Sequence, residues 1–121
     1  MIDEIINAGE ELLKQLVSNG KTIGDIKCAV ISLNYNFNNE YHKPNENDKL
    51  FVLKDGHTQA ELEAFMKQLD VEYDNSFGCQ ELFGYVMFHD ESWLERNEYD
   101  GSEWWEYKKF FIPEECKRIN N

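Results

Sequence analysis

ELFGYVMFHDESWLERNEYDGSEWWEYKKF, Glu81–Phe110, packs three short β-patterned runs and two turn signals into thirty residues. Its first part alternates Leu82, Gly84, Val86 and Phe88 with Phe83, Tyr85 and Met87, the two-residue period of a β-strand. Both sets are apolar, so the strand is expected at the centre of a sheet, and Gly84 within it marks a bulge or a close backbone approach. HDES then reads as a turn, Trp93–Tyr99 as a second strand, Asp100-Gly101 as a second turn and Glu103–Phe110 as a third strand. Pro113 ends that strand and starts a short helix at EECKRI.

The same stretch holds all three tryptophans, Trp93, Trp104 and Trp105. It also concentrates charge: Asp90, Glu91, Glu95, Glu98, Asp100, Glu103 and Glu106 face Arg96 alone between Asp90 and Tyr107, a net of −6. A two-residue turn at Asp100-Gly101 sets Tyr99 against Ser102 and so opposes Glu98 with Glu103 and Glu95 with Glu106, two costly like-charge pairs. A wider loop, Asp100–Glu103, opposes Tyr99 with Trp104, Glu95 with Lys108 and Trp93 with Phe110, and is the preferred expectation. Trp93, Tyr99, Trp104 and Phe110 then share one face with Glu95 and Lys108, the candidate core face. Arg96, Glu98, Trp105 and Tyr107 share the other, a half-exposed patch with Arg96 stacked on an aromatic ring.

Outward from this hairpin, the remaining elements follow from local pattern. Ile2, Ile5, Ile6, Leu12, Leu13, Leu16 and Val17 lie on or beside one helical stripe ahead of Gly20, which predicts an N-terminal helix of about four turns. Lys27–Tyr35 is β-branched and apolar and reads as a strand; Asn36–Asp48 is a polar, asparagine-rich loop leading into the short strand KLFVLK. Thr58-Gln59-Ala60-Glu61 is a capping box, and Leu62, Phe65, Met66 and Leu69 form the stripe by which the helix it starts docks on a sheet. The expected order is α-β-β-α-β-β-β over residues 1–121: a single α+β domain with a mostly antiparallel sheet and a helix packed on one face.

Composition narrows the function. With 24 acids against 12 bases the net charge is −12, which opposes direct binding to nucleic acid or to an anionic membrane. No apolar run has signal-peptide or membrane-spanning length, so a cytoplasmic protein is expected in whatever cell makes it. Cys28, Cys79 and Cys116 are odd in number and widely spaced, and read as reduced thiols. His42, His57 and His89 are isolated and lack ligand spacing, so no metal or other cofactor is expected. Acid pairs such as Glu98 and Glu103 are inevitable at this composition, and no glycine-rich loop precedes a helix, so the expectation is a protein that is not an enzyme.

QELFGYVMFHDESWLERNEYDGSEWWEYKKFFIP, Gln80–Pro113, resembles a pattern of small proteins of unknown function encoded by phages and prophages, roughly Q-x-L-F-G-x-V-x-F, D-G-S/T-W-x-x-R and E-Y-D-G-S-E-W-W. Glu91 stands where that pattern has glycine. The resemblance implies a phage accessory protein, and among small acidic ones an anti-defence, anti-CRISPR-like inhibitor.

Two functions fit these residues. One is an inhibitor that binds a basic surface of a host defence protein, nucleic-acid mimicry included, through the acidic, aromatic-rich hairpin: Glu95, Arg96, Glu98, Glu103, Trp104, Trp105 and Tyr107 are the candidate partner-binding residues. The other is a small-ligand binder that sequesters a nucleotide immune signal by stacking it on Trp104, Trp105 and Tyr107, with Arg96 or Lys108 on a phosphate. The aromatic-rich edge hairpin also predicts a homodimer, since native proteins cover such edges.

Overall fold

β5, Leu82–Phe88, is the middle strand of a five-stranded antiparallel sheet. Its neighbours on one side are β2, Ile26–Leu33, and β3, Lys49–Leu53; on the other they are β6, Trp93–Tyr99, and β7, Ser102–Lys108, giving the order β3-β2-β5-β6-β7. The computed structural model describes residues 5–39, 46–74 and 79–118. Helix α1, Ala8–Ser18, and helix α2, Gln59–Gln68, cover one face of the sheet. The capping box of α2 forms as read, with the Thr58 hydroxyl accepting from Glu61 N and the Glu61 carboxylate from Thr58 N, and Leu62, Phe65 and Leu69 are buried in the core.

Two short strands extend the expected order. β1, Ile5–Asn7, pairs with β4, Glu72–Asp74, as a separate two-stranded sheet. The first helix is therefore three turns rather than four: Asn7 is its N-cap, its side chain accepting from Glu10 N, and Ile5 and Ile6 are extended. Residues 1–4, where the helix was expected to start, lie outside the described residues, as do 40–45 of the long loop with His42, and 119–121. In place of the C-terminal helix there is a single 3-10 turn at Glu114–Cys116.

Gly84 is a close approach. A Cβ built there would lie 2.5 Å from the Val30 carbonyl oxygen and 3.0 Å from Ile31 Cα, so only glycine lets β2 and β5 pack at this point.

Both hairpin turns rest on left-handed residues. Asp100 and Gly101 have φ of 51° and 86°, the geometry of a type I′ turn. The first turn closes with Phe88 N donating to Ser92 O and Glu91 N to Phe88 O, a three-residue loop whose last residue, Glu91, sits at φ 72°. Glu91 thus occupies the conformation that glycine suits best. Glu91→Gly is expected to stabilise the fold by about 0.5–1 kcal/mol, the left-handed strain relieved being partly offset by a more flexible unfolded chain. A thermal melt of the variant checks this, and an unchanged or lower Tm would contradict it.

Candidate functional site

The hairpin takes the two-residue turn. Tyr99 opposes Ser102, Glu98 opposes Glu103, Arg96 opposes Trp105 and Glu95 opposes Glu106, so the wider loop preferred on electrostatic grounds is wrong by two residues. A shift of two preserves the sorting of side chains into faces, and the sets read from the sequence hold. Their sides are exchanged. Arg96, Glu103 and Trp105 point into the core at 8%, 3% and 3% exposure, with Tyr107 half-buried beside them, while Trp93, Glu95 and Trp104 face away from the helices. Phe110 lies beyond the end of β7 and is exposed.

Glu103 escapes like-charge repulsion because it is an internal counter-ion. Arg96 Nη2 donates to Glu103 Oε1 at 2.6 Å and to the Tyr73 hydroxyl at 2.9 Å, and Nη1 donates to Glu11 Oε1 at 3.0 Å. The Glu103 carboxylate also accepts from Glu81 N and Leu82 N at 2.8 and 3.0 Å, and Tyr73 donates to Glu11 at 2.5 Å. The guanidinium lies over the Trp105 and Tyr73 rings, 5.1 and 5.6 Å from their centroids. Burial alone lowers the Arg96 pKa, but Glu11, Tyr73 and Glu103 outweigh it and the net shift is upward; burial pushes the Tyr73 phenol far above its ordinary value. This cluster ties α1, β4, β6, β7 and the start of β5 together. Its charged groups are taken up by one another, and it reads as a staple between the two sheets rather than a contact surface.

The face turned away from the helices is the surface that sequence reasoning missed. One row crosses all five strands as Val52, Val30, Tyr85, Glu95 and Glu106; flanking rows are Leu50, Ser32 and Phe83, and Cys28, Met87, Trp93 and Lys108, with Asn97 beside Trp104 at the hairpin end. A solvated antiparallel face normally alternates to polar side chains. This one presents valines, Leu50, Phe83, Tyr85, Met87 and two tryptophans, with Leu50 51% and Trp104 40% exposed. A shallow apolar depression of 310 Å³ lies among Cys28, Val30, Val52, Tyr85 and Met87. Phe37, from the loop after β2, meets Tyr85 edge-on with ring centroids 6.2 Å apart. The available signal was the doubly apolar alternation of β5, which puts that strand at the centre of the sheet without saying which of its faces lies open.

Of the candidate partner-binding residues, Glu95 and Trp104 share this open face, and Glu98 is exposed on the side of the helices. Arg96, Glu103 and Trp105 are buried away from any surface a protein partner would meet, and the nucleotide stack on Trp104, Trp105 and Tyr107 is not formed, because the sheet separates Trp104 from the other two. Glu95 accepts from Trp93 Nε1 at 2.9 Å and pairs with Lys108 at 3.5 Å, and Glu106 accepts from Asn97.

At the other end of the hairpin Asp90 is locked by Lys21, which bonds it directly, and by the Ser92 backbone N–H and hydroxyl. The Lys21 bond first, then those from Ser92, hold the Asp90 carboxyl well below the usual carboxylate range. A depressed folded-state pKa contributes stability that is present above the unfolded pKa and lost as pH falls. Asp90→Asn is therefore expected to be less stable than wild type at pH 7, with the gap closing as the pH drops below about 4. Paired urea titrations at the two pH values check this, and a gap of constant size would contradict it.

Among the described residues no three His, Cys, Asp or Glu side chains come together to hold a metal ion, Cys28, Cys79 and Cys116 carry no disulfide, and no helix is long and apolar enough to cross a membrane. Comparison with protein families, curated proteins and solved structures finds no match to the chain.

Proposed function

We propose that the protein is a non-enzymatic binding protein, a phage-encoded inhibitor that acts in the cytoplasm of its bacterial host by docking on a basic surface of a host defence protein. The observation that carries this reading is the open sheet face: an apolar surface continuous across β3, β2 and β5 that runs into the tryptophans and acids of the hairpin. Exposed apolar patches of this extent mark interaction sites. The partner contact therefore moves from the core-facing residues to Tyr85, Trp93 and Trp104 as anchors, with Glu95, Glu106 and Asp100 forming the negative rim and Glu98, on the other face of the hairpin, adding to the field that steers a basic partner. The net charge of −12 favours that partner over nucleic acid itself.

The test is affinity capture from host lysate with wild type beside Tyr85→Lys, which places a cation in the middle of the open face. A host protein retained by wild type and lost by Tyr85→Lys, with the two melts alike, supports the reading; equal retention by both contradicts it. Among the described residues β7 is an unpaired edge of seven residues with no proline or bulge, and pairing of this edge with a second copy would make the homodimer. Light scattering at micromolar concentration should give twice the 14.4 kDa of one chain.

A further inference from the structure

We infer that the wedge where β5 and β6 part is a binding slot for an uncharged nucleobase. The two strands pair only at Tyr85–Glu95, Val86–Leu94 and Met87–Trp93, although β5 begins at Leu82 and β6 runs to Tyr99. β2 stays paired with β5 down to Leu82, and β7 with β6 up to Tyr99, so the sheet splits between its third and fourth strands. The two carboxylate oxygens of Glu103 take up the amides of Glu81 and Leu82 at the start of β5, which satisfies these two donors where β6 does not pair with them.

A polar cavity of 190 Å³ lies at the split, walled by Asn36, Asn38, Gln80, Phe83, Tyr85 and Arg96, with Gly84 between the aromatic pair. Arg96 has a side chain 1% exposed, yet among the described residues its Nε has no hydrogen-bond partner. A buried donor left unmade is costly, and native structures fill such a need with an acceptor. The amides complete the pattern. Asn36 Oδ1 is used by Asn38 N, which leaves its Nδ2 to donate, and Gln80 Nε2 is used by the Leu82 carbonyl, which leaves its Oε1 to accept. Donors and an acceptor around the cavity, with the Phe83 and Tyr85 rings in its wall, are the chemistry that reads the edge of a base.

Charge selects the form of ligand. Arg96 is already paired with Glu11 and Glu103, so the slot carries no surplus positive charge for a phosphate, and the chain as a whole repels one. The ligand is a base or nucleoside rather than a nucleotide. The slot shares Tyr85 and Phe83 with the open face, but base binding in it requires no protein partner.

The experiment is a nitrogen-15 NMR titration of the full chain with adenosine, guanosine, cytidine and uridine, and with the four 5′-monophosphates, at low salt. At least one nucleoside should give saturable shifts centred on Gln80, Gly84 and Asn36, with the matching monophosphate about tenfold weaker or more. Gln80→Leu and Tyr85→Leu should each weaken that nucleoside about tenfold, their spectra otherwise remaining those of a folded chain. No saturable shift from any nucleoside at millimolar concentration would overturn the inference and leave the cavity to water. So would a monophosphate that binds more tightly than its nucleoside, shifts that map elsewhere, or folded Gln80→Leu and Tyr85→Leu chains that bind as wild type.

Discussion

Replacement of Arg96 by methionine is expected to cost about 3–5 kcal/mol of folding free energy, because it strands two buried or half-buried carboxylates, Glu103 and Glu11, without a counter-ion. Methionine fills much of the volume, so the loss reports charge and hydrogen bonding more than packing. Small domains have about 5–15 kcal/mol in hand, so the variant should be marginal at 25 °C. Urea unfolding measures it. Glu98→Lys, on the same strand and face but exposed, is the control and should stay within about 0.5 kcal/mol of wild type. A loss below about 1 kcal/mol for Arg96→Met would mean that the cluster is solvated and that the hairpin does not bury it.

The second large effect is expected at Trp105. Its indole is buried beneath Arg96 and among the core residues, and Trp105→Ala leaves a cavity where two sheets and α1 meet, at a cost of about 3–5 kcal/mol. Trp104, its sequence neighbour, is on the opposite face, and Trp104→Ala should cost much less, about 1 kcal/mol or under, since part of its surface is already wet. Thermal melts of the two single variants separate the faces of the hairpin directly. Equal losses would mean that the sidedness of β7 is misassigned.

Much of the fold was legible because the signals are local. The alternation in Leu82–Phe88 and the Thr58–Glu61 capping box each act within a few residues and formed as read, whereas the Asp100-Gly101 dipeptide made its own two-residue turn in place of the wider loop preferred on electrostatic grounds. The sidedness of the hairpin was not legible. Arg96 finds Glu11 and Tyr73 at sequence separations of 85 and 23, and only those two, with Glu103, make a buried guanidinium tolerable. Without them in view a charged face reads as the wet one, and Glu98 opposite Glu103 reads as repulsion rather than as one exposed acid beside one internal counter-ion. The short strands β1 and β4 escaped for a related reason: three residues carry no period, and each exists by pairing with the other across more than sixty residues. The open face was hidden by the rule that apolar alternation means burial, which holds for a sheet covered on both sides and fails where helices cover one side only.

On this reading the open face and its acidic hairpin, and not the core-facing residues, make contact with a protein partner. The measurement that tests it most directly is the binding kinetics of the captured host protein to immobilised wild type, Trp104→Ala, and Glu95→Lys combined with Glu98→Lys, each across a range of ionic strength. Trp104→Ala should leave the association rate within about threefold and speed dissociation by about tenfold or more, as loss of an anchor does. The double charge reversal should slow association and flatten its dependence on salt. Association that ignores salt in wild type, together with a Trp104→Ala chain that is folded and dissociates as slowly as wild type, would contradict the account.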